Sequence, residues 1–60
     1  DIVGMRAKVV SDFTGDSTTF GKVEMRGTQW DAISNQCLKN GENVIVESIR
    51  DNQLIIRKID

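Results

Sequence analysis

The chain has 60 residues, 38% of them hydrophobic, and a net charge of −1 from 8 Lys plus Arg and 9 Asp plus Glu. This length allows one small domain at most, and the charge balance leaves no basic surplus to attract nucleic acid or an anionic membrane surface. Histidine is absent and Cys37 is the single cysteine. An intramolecular disulfide and a cysteine-rich zinc site are therefore excluded, and so is the commonest general base.

Membrane-spanning and targeting segments are not visible in the sequence. No apolar stretch approaches the ~20 residues that a transmembrane helix needs, and no signal peptide is present. The chain begins at Asp1 rather than at methionine. We therefore expect residues 1–60 to be a single domain cut from a longer protein, whose remaining part holds any anchor.

Short alternating runs, broken by glycine, asparagine and aspartate, predict an all-β chain, and no window has the spacing of an amphipathic helix. The first predicted strand covers residues 4–13, and residues 14–18 are predicted to form a turn or loop. The second strand covers residues 19–26. Phe20 has the opposite parity to the inward residues of this strand, so we expect a bulge at Gly21.

The remaining strands are predicted over residues 28–34, 42–49 and 53–59. Between the first two of these, residues 35–41 form a polar segment too short to predict a helix. Five strands at this spacing predict a small antiparallel barrel. Its expected core consists of the residues that alternation turns inward: Val9, Val23, Met25, Trp30, Ala32, Val44, Val46, Leu54 and Ile56.

An ordered set of motifs supports a more specific assignment. The set comprises Gly4, Gly21-Lys22-Val23, Gly27-Thr28-Gln29-Trp30-Asp31-Ala32-Ile33-Ser34, Gly41-Glu42-Asn43-Val44-Ile45-Val46 and Leu54-Ile55-Ile56. No single motif is specific, but their order and spacing over nearly the whole chain resemble the soluble C-terminal domain of NfeD-like membrane proteins.

This resemblance implies a five-stranded OB-like barrel, largely without the helix that OB folds place after their third strand. It implies a membrane-anchored parent, sometimes with a serine-protease domain, and we place the soluble domain at its cytoplasmic face. Proteins of this family resemble partners of stomatin/prohibitin-type (SPFH) scaffolds, beside which they are encoded. They are linked to membrane-protein quality control or to membrane microdomains. The resemblance implies no active site.

Individual residues give few signs of chemistry. Trp30 alternates in phase with Ala32, which favours core packing, although OB folds also stack bases on exposed aromatics. Asp12 and Asp16 lack the further ligands of an EF-hand loop, so we interpret them as turn residues. Arg26 stands where a lipoyl-type hairpin would need a lysine. Cys37 is interpreted as a small apolar residue that packs beneath its loop with Leu38.

Ile33, Ile45 and Ile55 are out of phase with the inward residues. Barrel curvature and bulges could bury some of them, or they could be scattered surface residues. Alternatively, they form an apolar patch for a neighbouring subunit or partner. We take all three as candidate partner contacts and leave these alternatives open.

The leading functional hypothesis is a non-catalytic interaction module that binds an SPFH scaffold, with homo-oligomerisation possible through the missing membrane segment. It involves no catalytic, cofactor-binding or metal-binding residues, no nucleic acid and no small-molecule substrate. The alternative is a small OB-like or SH3-like nucleic-acid-binding domain. A Lys/Arg stripe along one face would favour this alternative, but basic and acidic residues alternate instead.

Overall fold

The computed structural model describes residues 1–59, which contain six β-strands. Their bounds are β1 (Arg6–Val9), β2 (Thr14–Gly15), β3 (Thr19–Met25), β4 (Thr28–Ser34), β5 (Asn43–Arg50) and β6 (Gln53–Lys58). Each predicted strand has a counterpart, and β4 has its predicted limits, but the first strand is shorter than predicted because β1 ends at Val9 and not at Phe13. The loop predicted over residues 14–18 is wrong in part, because it begins with the short strand β2. Within residues 1–59 no helix has the length and apolarity to cross a membrane.

Five of the strands form a closed barrel. The sheet order is β1-β5-β6-β4-β3-β2, and β1 also pairs with β3, which closes the ring and leaves β2 as an extra strand on β3. The expectation of a small five-stranded OB-like barrel is confirmed. Its expected antiparallel pairing is wrong at one place, since β4 and β6 are parallel. A closed ring with an odd number of strands cannot be antiparallel throughout, so one parallel pair is unavoidable.

The barrel interior follows the alternation predicted from the sequence. All the expected core residues except Trp30 are buried, and Trp30 packs against them while staying partly exposed. Five further residues are buried that the expected core did not include: Ala7, Phe13, Leu38, Thr19 and Ser34. The burial of Leu38 agrees with its predicted packing beneath the loop. Alternation carries the two hydroxyl residues inward, where Thr19 donates to backbone carbonyl oxygens.

The predicted bulge at Gly21 is wrong. The register between β3 and β4 runs without interruption from Thr19 opposite Ser34 to Met25 opposite Thr28. Gly21 therefore faces inward, and Phe20 points out of the barrel with 51% of its surface exposed. Gly21 is needed for space, because the buried ring of Phe13 lies where its Cβ would stand.

Two-residue turns with positive φ connect the strands of two hairpins, β3–β4 and β5–β6. Arg26 and Gly27 have φ of 55° and 76°, and Asp51 and Asn52 have φ of 51° and 65°. Positive φ at both central positions defines the type I′ turn, whose twist matches that of the flanking strands. Three of these four residues are not glycine, so both hairpins close at some conformational cost.

The segment between β4 and β5 adds a side chain to the core and is hydrogen-bonded to the loop after β1. Leu38 is fully buried, and its carbonyl oxygen accepts a hydrogen bond from the Phe13 N–H at 2.9 Å. The Asp12 carboxylate accepts a hydrogen bond from the Asn40 N–H at 2.8 Å, which ties the loop after β1 to this segment. Cys37 is exposed, so its predicted packing is wrong. Of the two adjacent apolar residues the larger, Leu38, faces the core, where its burial gains more free energy.

Candidate functional site

Three apolar side chains lie side by side across three adjacent strands on the outside of the barrel. In the register of the sheet, Phe20 on β3 is opposite Ile33 on β4, and Ile33 is level with Ile55 on β6. Residues paired in this way place their side chains on the same face, within contact distance. Their chain neighbours Ala32 and Leu54 are buried inside the barrel. We call Phe20, Ile33 and Ile55 the apolar row.

The structure brings together two of the three predicted contact residues and separates the third. Ile33 and Ile55 are partners in the parallel pair. Ile45 is partly buried on the neighbouring strand β5, where the register places it between Arg6 and Arg57. Long arginine side chains can cover an apolar neighbour with their methylene groups. Ile45 therefore lies outside the apolar row.

A β-bulge separates Ile45 from the end of the row. The register between β5 and β6 shifts between Val46 and Ser48, so Glu47 has no partner of its own on β6. A bulge of this kind redirects a side chain. Here the carboxylate Oε2 of Glu47 lies 2.9 Å from Nε of Arg57.

A groove of about 250 Å³ lies at the end of the apolar row formed by Ile33 and Ile55, and Phe20 does not line it. Ile33, Ile55 and Ile56 supply the apolar part of its lining. The rest of the lining is polar or charged and consists of Thr18, Ser34, Asn35, Glu47 and Arg50. The groove thus combines an apolar floor with charged side chains, which suits the recognition of an amphipathic group.

The charges around the apolar row are largely paired. Nζ of Lys22 lies 2.7 Å from the carboxylate of Asp31, its register partner on β4, and Arg57 is paired with Glu47. Arg50 is exposed and forms no ion pair within residues 1–59. The groove therefore has one basic side chain that is free to meet an acidic group.

Trp30 occupies a different part of the barrel. It is opposite Val23 in the register and packs against the core, so the core interpretation is confirmed, although the side chain is only partly buried. Its indole Nε1 is buried and has no hydrogen-bond partner among the described residues. Trp30 thus packs toward the core and is not part of the apolar row.

The other residues considered in the sequence analysis lie in loops and turns. Asp12 accepts the loop hydrogen bond described above, Asp16 is exposed, and Arg26 is a turn residue. Within residues 1–59 no three His, Cys, Asp or Glu side chains lie close enough to hold one metal ion.

Phe20 is the candidate contact residue that sequence reasoning missed. Counting back in steps of two from the inward residue Val23 gives Gly21 and Thr19 as inward and Phe20 as outward. That signal was present in the sequence, and the assumed bulge at Gly21 obscured it.

A closed OB-like barrel that presents an apolar row beside a groove has the architecture of a small binding domain. The family model of the NfeD-like C-terminal, partner-binding domain matches residues 1–58. The chain belongs to this family. Comparison with curated proteins found no significant match.

Two solved structures share the fold. The C-terminal domain of stomatin operon partner protein 1510-C from Pyrococcus horikoshii has a TM-score of 0.83 and 26% identity, over 98% of this chain and 89% of that one. The soluble domain of a membrane protein implicated in regulation of membrane protease activity, from Corynebacterium glutamicum, has a TM-score of 0.80 and 33% identity. That alignment covers 95% of this chain and 90% of the other.

Proposed function

We propose that residues 1–60 form the non-catalytic, partner-binding domain of a membrane-anchored NfeD-like protein, and that the partner is a stomatin-like SPFH scaffold. Family membership supports a partner-binding role. The similarity to a domain of a stomatin operon partner protein supports the choice of partner, and the similarity to a soluble domain of a membrane protein supports the anchored parent. The expected role is membrane-protein quality control or microdomain organisation.

The observation that carries this proposal is the apolar row. Phe20 is 51% exposed, and Ile33 and Ile55 continue the apolar surface across two further strands. Apolar side chains aligned on an outer face favour contact with another protein. We therefore keep Ile33 and Ile55 as proposed central contacts, add Phe20, and place Ile45 at the periphery of the surface.

The charge pattern favours a protein partner over the alternative, a nucleic acid. A nucleic-acid-binding face needs several basic side chains free for phosphates. Lys22 and Arg57, which lie near the row, are already paired with Asp31 and Glu47. Phe20 could stack on a base, but the basic residues around it are neutralised.

The proposed location is the cytoplasmic face of the membrane. Cys37 is an exposed free thiol, which is compatible with a reducing compartment.

The apolar row is too small for an obligate dimer interface, which buries roughly 2,000 Å² or more. We therefore expect homo-oligomerisation to depend on the membrane segment, which raises the local concentration of these domains.

Co-purification of the longer protein with a stomatin-like protein from the same organism tests the proposal. We expect Phe20→Thr and Ile55→Thr to reduce the recovered scaffold at least about fivefold, because each removes a central apolar contact. Ile49→Thr is the matched control, since Ile49 is 48% exposed on β5 and does not line the groove.

Circular dichroism melts of the isolated domains establish that each variant is folded. Unchanged recovery with folded Phe20→Thr and Ile55→Thr would contradict the proposed contact surface. Absence of the scaffold from the unmodified sample would contradict the choice of partner.

A further inference from the structure

The groove beside the apolar row has two chemically different parts. Ile33 and Ile55 provide an apolar floor, and Arg50 provides a cation in the same lining. Glu47 also lines the groove, but its carboxylate is engaged by Arg57 at 2.9 Å. Arg50 is therefore the charged side chain of the lining that has no ion-pair partner within residues 1–59, and the complement of this cation and its apolar neighbours is a carboxylate next to an apolar group.

The size of the groove limits what can occupy it. Its volume of about 250 Å³ is below the roughly 300–1,000 Å³ of small-molecule pockets. The row itself is three side chains wide, whereas a standard interface between folded proteins buries about 1,200–2,000 Å². A short peptide segment that inserts one or two side chains fits these dimensions better than a second folded copy of the chain.

We propose that the groove binds a short segment of the partner in which an apolar residue lies next to an aspartate or glutamate. The apolar side chain packs on Ile33 and Ile55, and the carboxylate pairs with the guanidinium of Arg50. Phe20 lies at the other end of the row and covers the next apolar residue of the segment. This inference rests on the proposed function, since it names the chemistry of the segment that the partner presents.

Synthetic peptides test this inference directly. The probes are two fluorescein-labelled octapeptides with the same alternating leucine and serine residues, one with a central glutamate and the other with a central lysine. Fluorescence anisotropy at low salt should give about two- to fivefold tighter binding of the glutamate peptide, the upper part of the range for one exposed ion pair. The preference should shrink as salt is added.

A charge-reversal variant tests whether Arg50 causes the preference for the glutamate peptide. Arg50→Glu should abolish it or invert it in favour of the lysine peptide. Arg26→Glu is the matched control, because it makes the same charge change at an exposed turn that does not line the groove. Arg26→Glu should retain most of the preference. Amide NMR shifts induced by the glutamate peptide should concentrate at Ile33, Asn35, Arg50 and Ile55.

Three results would overturn the inference: equal binding of both peptides, an unchanged preference in Arg50→Glu, and no binding of either peptide at 1 mM. Tighter binding of a single-stranded DNA oligonucleotide than of either peptide would also overturn it and favour a nucleic-acid face.

The experiments distinguish a failure of this inference from a failure of the proposed function. If Phe20→Thr disrupts co-purification but Arg50→Glu leaves the peptide preference intact, the scaffold is the partner and the segment chemistry is wrong. If Arg50→Glu inverts the preference while the scaffold never co-purifies, the groove binds such segments and the named partner is wrong.

Discussion

The buried ring of Phe13 lies directly over the backbone of Gly21. A Cβ added to Gly21 would stand 2.9 Å from Cγ of Phe13 and closer still to Cδ1 and Cε1. Phe13 is only 6% exposed, so its ring has little room to move away. This contact explains the glycine within β3 and the outward position of Phe20, because β3 keeps its regular alternation through Gly21.

We predict that Gly21→Ala destabilises the domain by about 1–3 kcal/mol, the usual cost of overpacking a core. In the double variant Phe13→Leu/Gly21→Ala, the loss of unfolding free energy should be at least ~1 kcal/mol smaller than the sum of the losses in the two single variants, since the smaller leucine leaves room for the methyl group. Urea unfolding followed by circular dichroism measures both quantities. Additive losses would contradict the direct contact.

The Thr19 hydroxyl connects β3 with the end of β4. Its Oγ1 lies 3.1 Å from the carbonyl oxygen of Ser34 and 2.8 Å from that of Gln36. We predict that Thr19→Val, which keeps the shape and removes the hydroxyl, costs about 1–2 kcal/mol of unfolding free energy, because the two carbonyl oxygens lose the single hydroxyl hydrogen that they share. Thr19→Ser keeps the hydroxyl and is the control. It should cost less than Thr19→Val, and the reverse order would be inconsistent with this hydrogen bond.

The β3–β4 turn contains an unfavourable residue. Arg26 has a φ of 55° and is followed by Gly27 with a φ of 76°. Asparagine tolerates this conformation better than arginine, and Asn-Gly is a preferred type I′ pair. We predict that Arg26→Asn stabilises the domain by roughly 0.5–1 kcal/mol and that Arg26→Ala does not. Equal stabilities of the two variants in thermal melts would contradict the prediction that the positive φ of Arg26 lowers the stability of the domain.

Trp30 combines core contacts with an unsatisfied donor. It packs against the core, while its buried Nε1 finds no acceptor within residues 1–59. We predict that Trp30→Ala lowers the free energy of unfolding by about 3 kcal/mol. Trp30→Phe, which keeps an aromatic ring and removes the donor, should lower it by about 1 kcal/mol or less. Circular dichroism is the suitable probe, because Trp30 is the only tryptophan. A loss below about 1 kcal/mol for Trp30→Ala would contradict its structural role.

The inward faces of the strands could be predicted because they depend on local alternation. Val23, Val44 and Leu54 lie inside the barrel as the period of two requires. The segment over residues 35–41 has no such period, so nothing in the sequence distinguished Leu38 from Cys37. Tertiary packing decides between them, since the side chain of Leu38 is fully buried in the core and Cys37 is exposed.

The candidate site could be predicted only in part. Parity correctly placed Ile33 and Ile55 on the outer face, but their adjacency depends on the register of the parallel pair between β4 and β6. That register results from barrel closure, since residues 35–52 lie between the two strands along the chain. The bulge at Glu47, which separates Ile45 from the row, likewise depends on pairing between strands.

The most direct test of the central claim is a titration of the isolated domain with the purified stomatin-like protein, monitored by amide NMR. The account predicts saturable binding, with shifts centred on Phe20, Ile33 and Ile55 and weakened at least about fivefold by Phe20→Thr but not by Ile49→Thr. Saturable binding whose shifts avoid the apolar row would contradict the proposed surface. No binding to the scaffold, combined with micromolar binding of single-stranded DNA that falls steeply with salt, would contradict the account as a whole.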